Sequence, residues 1–570
     1  MLSKVVQGVG AAATSVKVLG KAGVIRPYSP AVLARLGLML REWGTGPAGG
    51  FASLAIRHPD AVGIIDERGQ LTWGELHRRS NALARGLAAQ GVGEGDAVAV
   101  MCRNHRGFVE TSIATAKLGA DVLYLNTAFS GPQLRELLER DRPEALVLDE
   151  EFSGLLEGID VPVTVLGWCD DDAPTLPTLD GLIADHDAGD LSAPGRHGRI
   201  IILTSGTTGT PKGAPRSEAG VDAAVSLLSL MPLHAGWRTH VAAPLFHTWG
   251  FGHMALGMLL GSTLVLRRRF DPEECLRTVQ DERCESIVVI PVMLQRILAL
   301  PAEVLDRYDL SRVEVVASSG SALPGELALT WMDRFGDNLY STYGSTEVAY
   351  AAVAGPRDLR ESPSTAGRPP YATVVKILDD QGCPVPDGEP GRIFVGNGLL
   401  FEGYTGGGSK EVVDGLMSTG DVGRFREDGR LYVEGRDDEM IVSGGENVFP
   451  KEVEDCIARH DEVVEVAAVG VEDDEFGQRL RAFVVRREGS SLDEEGVKGW
   501  VKENLARYKV PRDVVFLDEL PRNATGKVHA ARPVRPGRVA VVVPRHQGGG
   551  DAVLPLRLLR RLHRRDGRHP

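Results

Sequence analysis

The run LTSGTTGTPKGAP, residues 203–215, constrains this chain more than any other stretch. It packs three glycines, five hydroxyl residues and one lysine into thirteen positions, directly after the apolar RIIIL. Successive backbone N–H groups in such a turn point into one concavity and bind phosphate oxygens. Gly206 and Gly209 permit the close approach and the unusual dihedrals this requires. Thr204, Ser205, Thr207 and Thr208 add hydroxyl donors, and Lys212 can neutralise charge. The spacing, Gly206-x-x-Gly209-x-x-Lys212-Gly213, is not the GxxxxGK[ST] of the Walker loop. The cradle therefore serves some other phosphate chemistry.

The strand before it is one of many. DAVAVMC, DVLYLN, EALVLD, RIIILTS, HVAAPLF, STLVLRR, SIVVIPV and VEVVASSG are short apolar runs. Between them lie helical patterns such as LTWGELHRRSNALARGLAAQGV and FVETSIATAKLGA. That rhythm predicts a layered α/β body with mostly parallel sheets. After about residue 370 the texture changes. TVVKILDDQGCPVPDGEPGRIFVGN and RLYVEGR read as hairpin strands with Asp/Gly/Pro turns, a β-rich subdomain. Beyond Arg436 a small α+β stretch follows, with helices KEVEDCIARH and LDEEGVKGWVKENLA around three strands. A chain of 570 residues exceeds one hydrophobic core. The expected division is an N-terminal extension (1–50), a large domain (51–436), a small mobile domain (437–528) and an atypical tail (529–570).

Charge is unevenly spread over a chain of formal charge −14. Residues 1–41 hold six cations and no acid; residues 529–570 hold ten arginines and two aspartates. The body between is strongly acidic, which argues against nucleic-acid binding. Six scattered cysteines with no CxxC pair read as a reduced, cytoplasmic protein without a zinc site. No run reaches the ~20 apolar residues of a membrane span. The basic, apolar N-terminus suits peripheral contact with a membrane surface; a helix packed on its own body is the alternative.

Five motifs in order carry a resemblance. TSGTTGTPKGA (204–214), YGSTE (343–347), STGDVGRF (418–425), GRDDEMIVSGGENVFPKEVE (436–454) and PRNATGK (521–527) resemble the signatures of the adenylate-forming superfamily. The resemblance covers about residues 50–528 and is closest in character to actinobacterial fatty-acid–CoA ligases. It implies that the glycine-rich loop clamps the ATP phosphates. Tyr343 and Gly344 would sit against adenine, and Gly320 and Ser321 would line the adenine and acyl pocket. Thr346 would bond the α-phosphate, and Glu347 would hold Mg²⁺. Asp421 would accept both ribose hydroxyls, with Arg436 beside it. Asp438 would be the hinge, and Ser443, Gly444, Gly445, Glu446 and Asn447 would serve thiolation by CoA. Lys527 would bridge the substrate carboxylate and the α-phosphate. His247 matches a gate between the acyl pocket and the thiol tunnel; a satisfied core histidine is the other reading.

The resemblance implies a two-step ligase. A medium- or long-chain fatty acid reacts with ATP to give acyl-AMP and pyrophosphate, and CoA then displaces AMP. Expected partners are the acid, ATP and CoA, with a homodimer as the assembly. An acyl-AMP ligase delivering to a carrier protein, and a catalytically impaired binding homologue, are the alternatives. The tail departs from the family: after GKV it has no lysine or glutamate, ten arginines and five prolines. It resembles a shifted reading frame, and an unstructured extension is expected there.

Overall fold

In the computed structural model, the described residues are 13–520 and 522, except 172, 204–211, 217–220, 406, 438–440, 444–445, 449, 474–476 and 506–508. Positions 216, 441–443, 446–447, 472–473 and 477–478 are described for their backbone only. The expected tail, Lys527 and Asp438 lie outside the described residues, as do Thr204–Gly209 of the cradle and Gly444–Gly445.

The apolar runs assemble into two large sheets. One has six strands in the order Val163–Trp168, Ala145–Asp149, Ala97–Met101, Asp121–Tyr124, Ile200–Leu203 and Gly213–Arg216. Its first five strands are parallel and the last turns back antiparallel. The other has eight strands, and its interior run Val62–Asp66, Thr263–Val265, Arg238–Val241, Ser286–Val289, Val315–Ser318, Leu339–Tyr343 is parallel. Antiparallel strands Gly69–Thr72 and Ala352–Ala354 close its two edges. These strands are apolar throughout because helices cover them. One core joins side chains of both sheets, including Val98, Val122, Ile64, Val288 and Val316. A second cluster, with Leu134, Leu137 and Leu138, covers the other face of the six-stranded sheet.

The β-rich texture after residue 370 becomes a five-stranded antiparallel sheet. Val374–Leu378 pairs with Gly391–Gly396, which pairs with Leu416–Phe425. Leu431–Arg436 and Val412–Val413 also pair with Leu416–Phe425. The C-terminal stretch forms its own sheet around Val463–Asp473 and Gly477–Arg486, with helices Pro450–Ile457 and Glu494–Asn504. It has a separate apolar core that includes Val453, Ala482, Val484 and Val501.

Two boundaries differ from the sequence reading. Leu71 and Thr72 belong to a strand, and the helix starts at Trp73. Thr72 and Glu75 form a reciprocal capping box there, which stops the helix from extending backwards. The HVAAPLF run is a strand only over Arg238–Val241. Beyond it, the N–H groups of Ala242 and Ala243 both point to the Val288 carbonyl, and the ladder ends.

Helix Arg106–Lys117 is pinned between the sheets. Asp66, at the end of a strand of the eight-stranded sheet, accepts from the Arg106 backbone N–H (2.9 Å) and takes its guanidinium at 2.5 Å. His105 caps the same helix: its Nδ1 accepts the Gly107 N–H at 3.0 Å. Its Nε2 therefore carries the proton and donates to Asp149 of the six-stranded sheet at 2.8 Å. Cys102 lies close to this pair, but both ring nitrogens are spent and the trio is structural.

Two histidines tie the core to pH. His240 and His253 are buried, and burial pulls both down to about 4. Each donates Nδ1–H to a carbonyl, of Val265 and Trp249 respectively. An unfolded histidine near pKa 6.5 binds its proton first as pH falls. Their stability is thus complete above pH 6.5 and is lost between 6.5 and about 4. The expected loss is about 1 kcal/mol per histidine by pH 5.5. Thermal midpoints measured from pH 7.5 to 5 should fall accordingly, and less steeply in His253→Leu. An identical slope in that variant would refute the assignment.

Candidate active site

The candidate residues gather where parallel strands end. His247 follows Arg238–Val241, Gly320 and Ser321 follow Val315–Ser318, and Tyr343 ends Leu339–Tyr343. All three strands run in parallel in the eight-stranded sheet. The carboxyl ends of such strands form the crevice where α/β sheets bind ligands. The cradle leaves the same kind of end, that of Ile200–Leu203, in the six-stranded sheet. The strands on either side are paired antiparallel, with Leu203 opposite Gly213.

Gly213 exchanges two hydrogen bonds with Thr405, its N–H donating to Oγ1 (2.9 Å) and its carbonyl accepting from the Thr405 N–H (2.8 Å). A Cβ on Gly213 would lie 2.6 Å from Ile201 Cγ2 and 2.7 Å from Thr405 Oγ1, so no side chain fits. Lys212 is exposed, and its Nζ sits 5.3 Å above the Tyr404 ring. The base of the cradle is thereby tied to the 401–405 segment.

That segment reaches Glu347. The Tyr404 hydroxyl donates to Glu347 Oε1 (2.7 Å), and Ser345 Oγ donates to Oε2 (2.8 Å). The Phe401 N–H donates to the Glu347 carbonyl (2.8 Å). Burial alone would raise the Glu347 carboxyl. The hydrogen bonds from Tyr404 and Ser345, a backbone N–H and the Lys410 charge outweigh it and hold the group below its ordinary value. Burial, reinforced by Glu347, raises Tyr404, so the phenol keeps its proton and donates. Thr346 stands between Ser345 and Glu347, half-buried.

Tyr343 makes the second cluster. Its hydroxyl donates to Asp421 Oδ2 at 2.5 Å and lies 3.3 Å from Thr419 Oγ1. Burial and then the Asp421 charge push the Tyr343 phenol upward, which again makes it a donor. Asp421 and Arg436 are cross-strand partners in the five-stranded sheet, with Arg436 Nη1 at 3.7 Å from Asp421 Oδ1. Gly420 has φ +80°, and its missing side chain leaves room for Lys410 and Arg436. Gly344 is equally forced: a Cβ there would meet the Ala349 carbonyl oxygen at 2.2 Å. Gly320 takes φ +96°, and neighbouring Ser319 donates Oγ–H to the Thr342 carbonyl (2.8 Å). The Gly320–Ser321 turn is thus tied to the strand that ends at Tyr343.

The structure therefore brings together Lys212, Gly320, Tyr343, Gly344, Glu347, Asp421 and Arg436 through three sheets. His247 is half-buried at the start of helix Thr248–Leu260, one turn before Phe251, whose N–H donates to the His247 carbonyl. Ser443, Glu446 and Asn447 fall on the facing strands Ile441–Ser443 and Glu446–Val448, with Ser443 opposite Glu446. Sequence reasoning overlooked Tyr404 and Lys410. Their signal was the glycine-rich FEGYTGGGSK (401–410), a second run of the composition that marked the cradle.

Cations (Lys212, Lys410, Arg436), the buried Glu347 carboxylate and the half-buried Asp421 carboxylate thus gather at strand ends. Such a set can bind a polyphosphate and a diol together. The model of the AMP-binding enzyme family matches residues 51–405, and that of the AMP-binding enzyme C-terminal domain matches residues 452–527. A feruloyl-CoA synthase from Amycolatopsis sp is 34% identical over 483 residues, covering 82% of this chain and 94% of its own. An indoleacetate–CoA ligase from Aromatoleum aromaticum is 33% identical, covering 83% and 93%. Among solved structures, an anthranilate CoA ligase in complex with anthranoyl-AMP superposes with TM-score 0.77 at 24% identity, over 85% of this chain and 95% of its own. At that identity it speaks for the fold.

Proposed function

Since the chain belongs to the AMP-binding enzyme family, we propose a specific assignment of its crevice within an established reaction class. The protein is an AMP-forming acid–CoA ligase, which uses ATP, an acid and CoA. The observation that carries the assignment is the joining of Tyr343–Asp421–Arg436 to Glu347–Tyr404–Lys212 through one strand end. Asp421 takes the ribose hydroxyls and Tyr343 orients it. Lys212, with the 204–211 loop, takes the terminal phosphates. Thr346 bonds the α-phosphate.

Glu347 fits a magnesium ion. It is a buried, ionised carboxylate whose two oxygens each accept one side-chain hydrogen bond, which leaves lone pairs free. The bound ion supplies charge neutralisation at the ATP phosphates. A carboxylate oxygen of the acid attacks the α-phosphorus, and the bond to the pyrophosphate oxygen breaks. Lys527 steadies the developing charge. The domain from 437 then turns about Asp438, and Ser443–Asn447 reach the crevice. The CoA thiol attacks the acyl carbon and AMP leaves.

The acid we assign is apolar. The names of the two curated relatives speak of aromatic acids, feruloyl and indoleacetate. We therefore place arylalkanoic acids first. A medium- or long-chain fatty acid is the second reading, favoured by the basic N-terminal arm and its exposed leucines.

The deciding experiment is pyrophosphate release from a panel of aryl and alkyl acids, with and without CoA. Aryl acids should give the higher kcat/KM, with acyl-CoA as product. Preference for acids of ten or more carbons would replace the first reading by the second. Acyl-AMP accumulating without acyl-CoA would overturn CoA as the acceptor.

A further inference from the structure

The N-terminal arm presents exposed apolar side chains that are not buried by any of the described residues. Of the ten exposed large apolar side chains among the described residues, five lie between 16 and 40: Val16, Ile25, Leu33, Leu38 and Leu40. Helix Pro30–Trp43 explains the concentration. Val32, Leu36, Met39 and Trp43, spaced at four, three and four residues, are partly or wholly buried on its inner face, where helix Pro47–Arg57 packs. The rest of its surface carries Ala31, Leu33, Ala34, Gly37, Leu38 and Leu40 together with Arg35, Arg41 and Glu42, all exposed, with Leu33 54% and Leu38 58% accessible. A surface helix normally turns a polar face outward. This one carries exposed leucines outside the face that packs on helix Pro47–Arg57.

The arm is nevertheless ordered against the body. The Ala235 N–H donates to the Ala22 carbonyl (2.8 Å), Val18, Leu19 and Val24 pack on the main core, and Ser29 caps the helix. Exposed leucines on an anchored helix form a surface built to meet something. Charge identifies the occupant. Lys17, Lys21, Arg26, Arg35 and Arg41 lie in the arm, and Glu42 is the one acid from 13 to 43, in a chain of charge −14. A second copy would bring the same cations to a two-fold contact and be repelled. An anionic bilayer offers hydrocarbon to the leucines and phosphate to the cations. The arm also precedes residue 51, where the family match begins.

We propose that residues 13–41 dock the protein on an anionic lipid surface, with Leu33, Leu38 and Leu40 entering the headgroup–acyl boundary. The enzyme then meets apolar acids where they concentrate. This goes beyond the ligase assignment and does not need it: docking is read by vesicles and adenylation by pyrophosphate.

The test is co-sedimentation of the full chain with vesicles of phosphatidylcholine alone or with 30% phosphatidylglycerol (about one lipid in three, to set the surface potential). Wild type should pellet with the anionic vesicles and lose this at high salt. Leu33→Glu/Leu38→Glu/Leu40→Glu should weaken binding at least roughly tenfold. Arg35→Gln/Arg41→Gln, a purely surface change, should weaken it by roughly fivefold per cation. ATP–pyrophosphate exchange in solution should stay unchanged in both. Absence of wild-type binding to anionic vesicles, or equal binding by the triple variant, would overturn the proposal. So would a wild-type dimer, in sedimentation velocity, that the triple variant converts to monomer, because a second copy would then own the face.

Discussion

Glu347→Gln is expected to slow acyl-adenylate formation by about 10²–10³-fold, which is roughly 3–4 kcal/mol of transition-state stabilisation. The wild-type carboxylate is held ionised in a buried place by Tyr404, Ser345 and the charge of Lys410. That arrangement keeps a full negative charge where cations are needed around a polyphosphate. The amide removes the charge and turns an N–H₂ group toward one of two hydroxyl donors. The midpoint of a Mg²⁺ titration of pyrophosphate release should move upward by about tenfold, through loss of a charge-assisted contact. Tyr404→Phe, which leaves the charge and removes one donor, should shift the same midpoint less. A Glu347→Gln enzyme with unchanged magnesium dependence and only a lower thermal midpoint would mean that the residue is structural.

Asp66→Ala should be among the most destabilising single changes in the large domain, at about 3–5 kcal/mol. The carboxylate is wholly buried, and it takes the Arg106 guanidinium, the Arg106 N–H and the Arg68 N–H. Burial would raise its pKa, but the Arg106 hydrogen bonds and charge win and lower it. The folded value lies below the unfolded one, so this stability is present above pH ~4 and is lost only as pH falls further. It is therefore intact in the window where His240 and His253 act. Removing Asp66 strands the guanidinium between the two sheets and frees the start of helix Arg106–Lys117. The first thermal transition should drop by several degrees (~3 °C or more, by the scaling for large domains) while the C-terminal core is little affected. Asp66→Ala/Arg106→Met should recover part of the loss, since it removes the stranded charge as well. A drop below about 1 kcal/mol, the worth of a surface pair, would show that the interaction is not needed to hold the sheets together.

Much of the fold was legible because strands buried on both faces must be apolar throughout, and the runs from DAVAVMC to VEVVASSG are. The hairpins after residue 370 were legible for a different reason, their turn residues. Where reading by pattern slipped, a local device was responsible. Thr72 and Glu75 start a helix that propensity would begin two residues earlier, and the paired N–H groups of Ala242 and Ala243 end a strand that apolarity would continue. Neither device has a periodic signature.

The site divides in the same way. Residues that sit in short dense motifs, such as TSGTTGTPKGA and YGSTE, announce phosphate chemistry by composition, because glycine and hydroxyl donors are what a phosphate requires. The chain order of those motifs was enough to indicate the family. Tertiary structure alone decided which side chains meet. Tyr343 reaches Asp421 across 78 positions and Tyr404 reaches Glu347 across 57. Such pairings depend on how a parallel sheet and an antiparallel sheet come together, and no local propensity encodes that. The same holds for the N-terminal arm. Its sequence shows that it is basic and apolar, but only packing shows that Val32, Leu36, Met39 and Trp43 are spent on the body and that Leu33, Leu38 and Leu40 are not. Composition is a property of the residues themselves; exposure belongs to the neighbours that folding supplies.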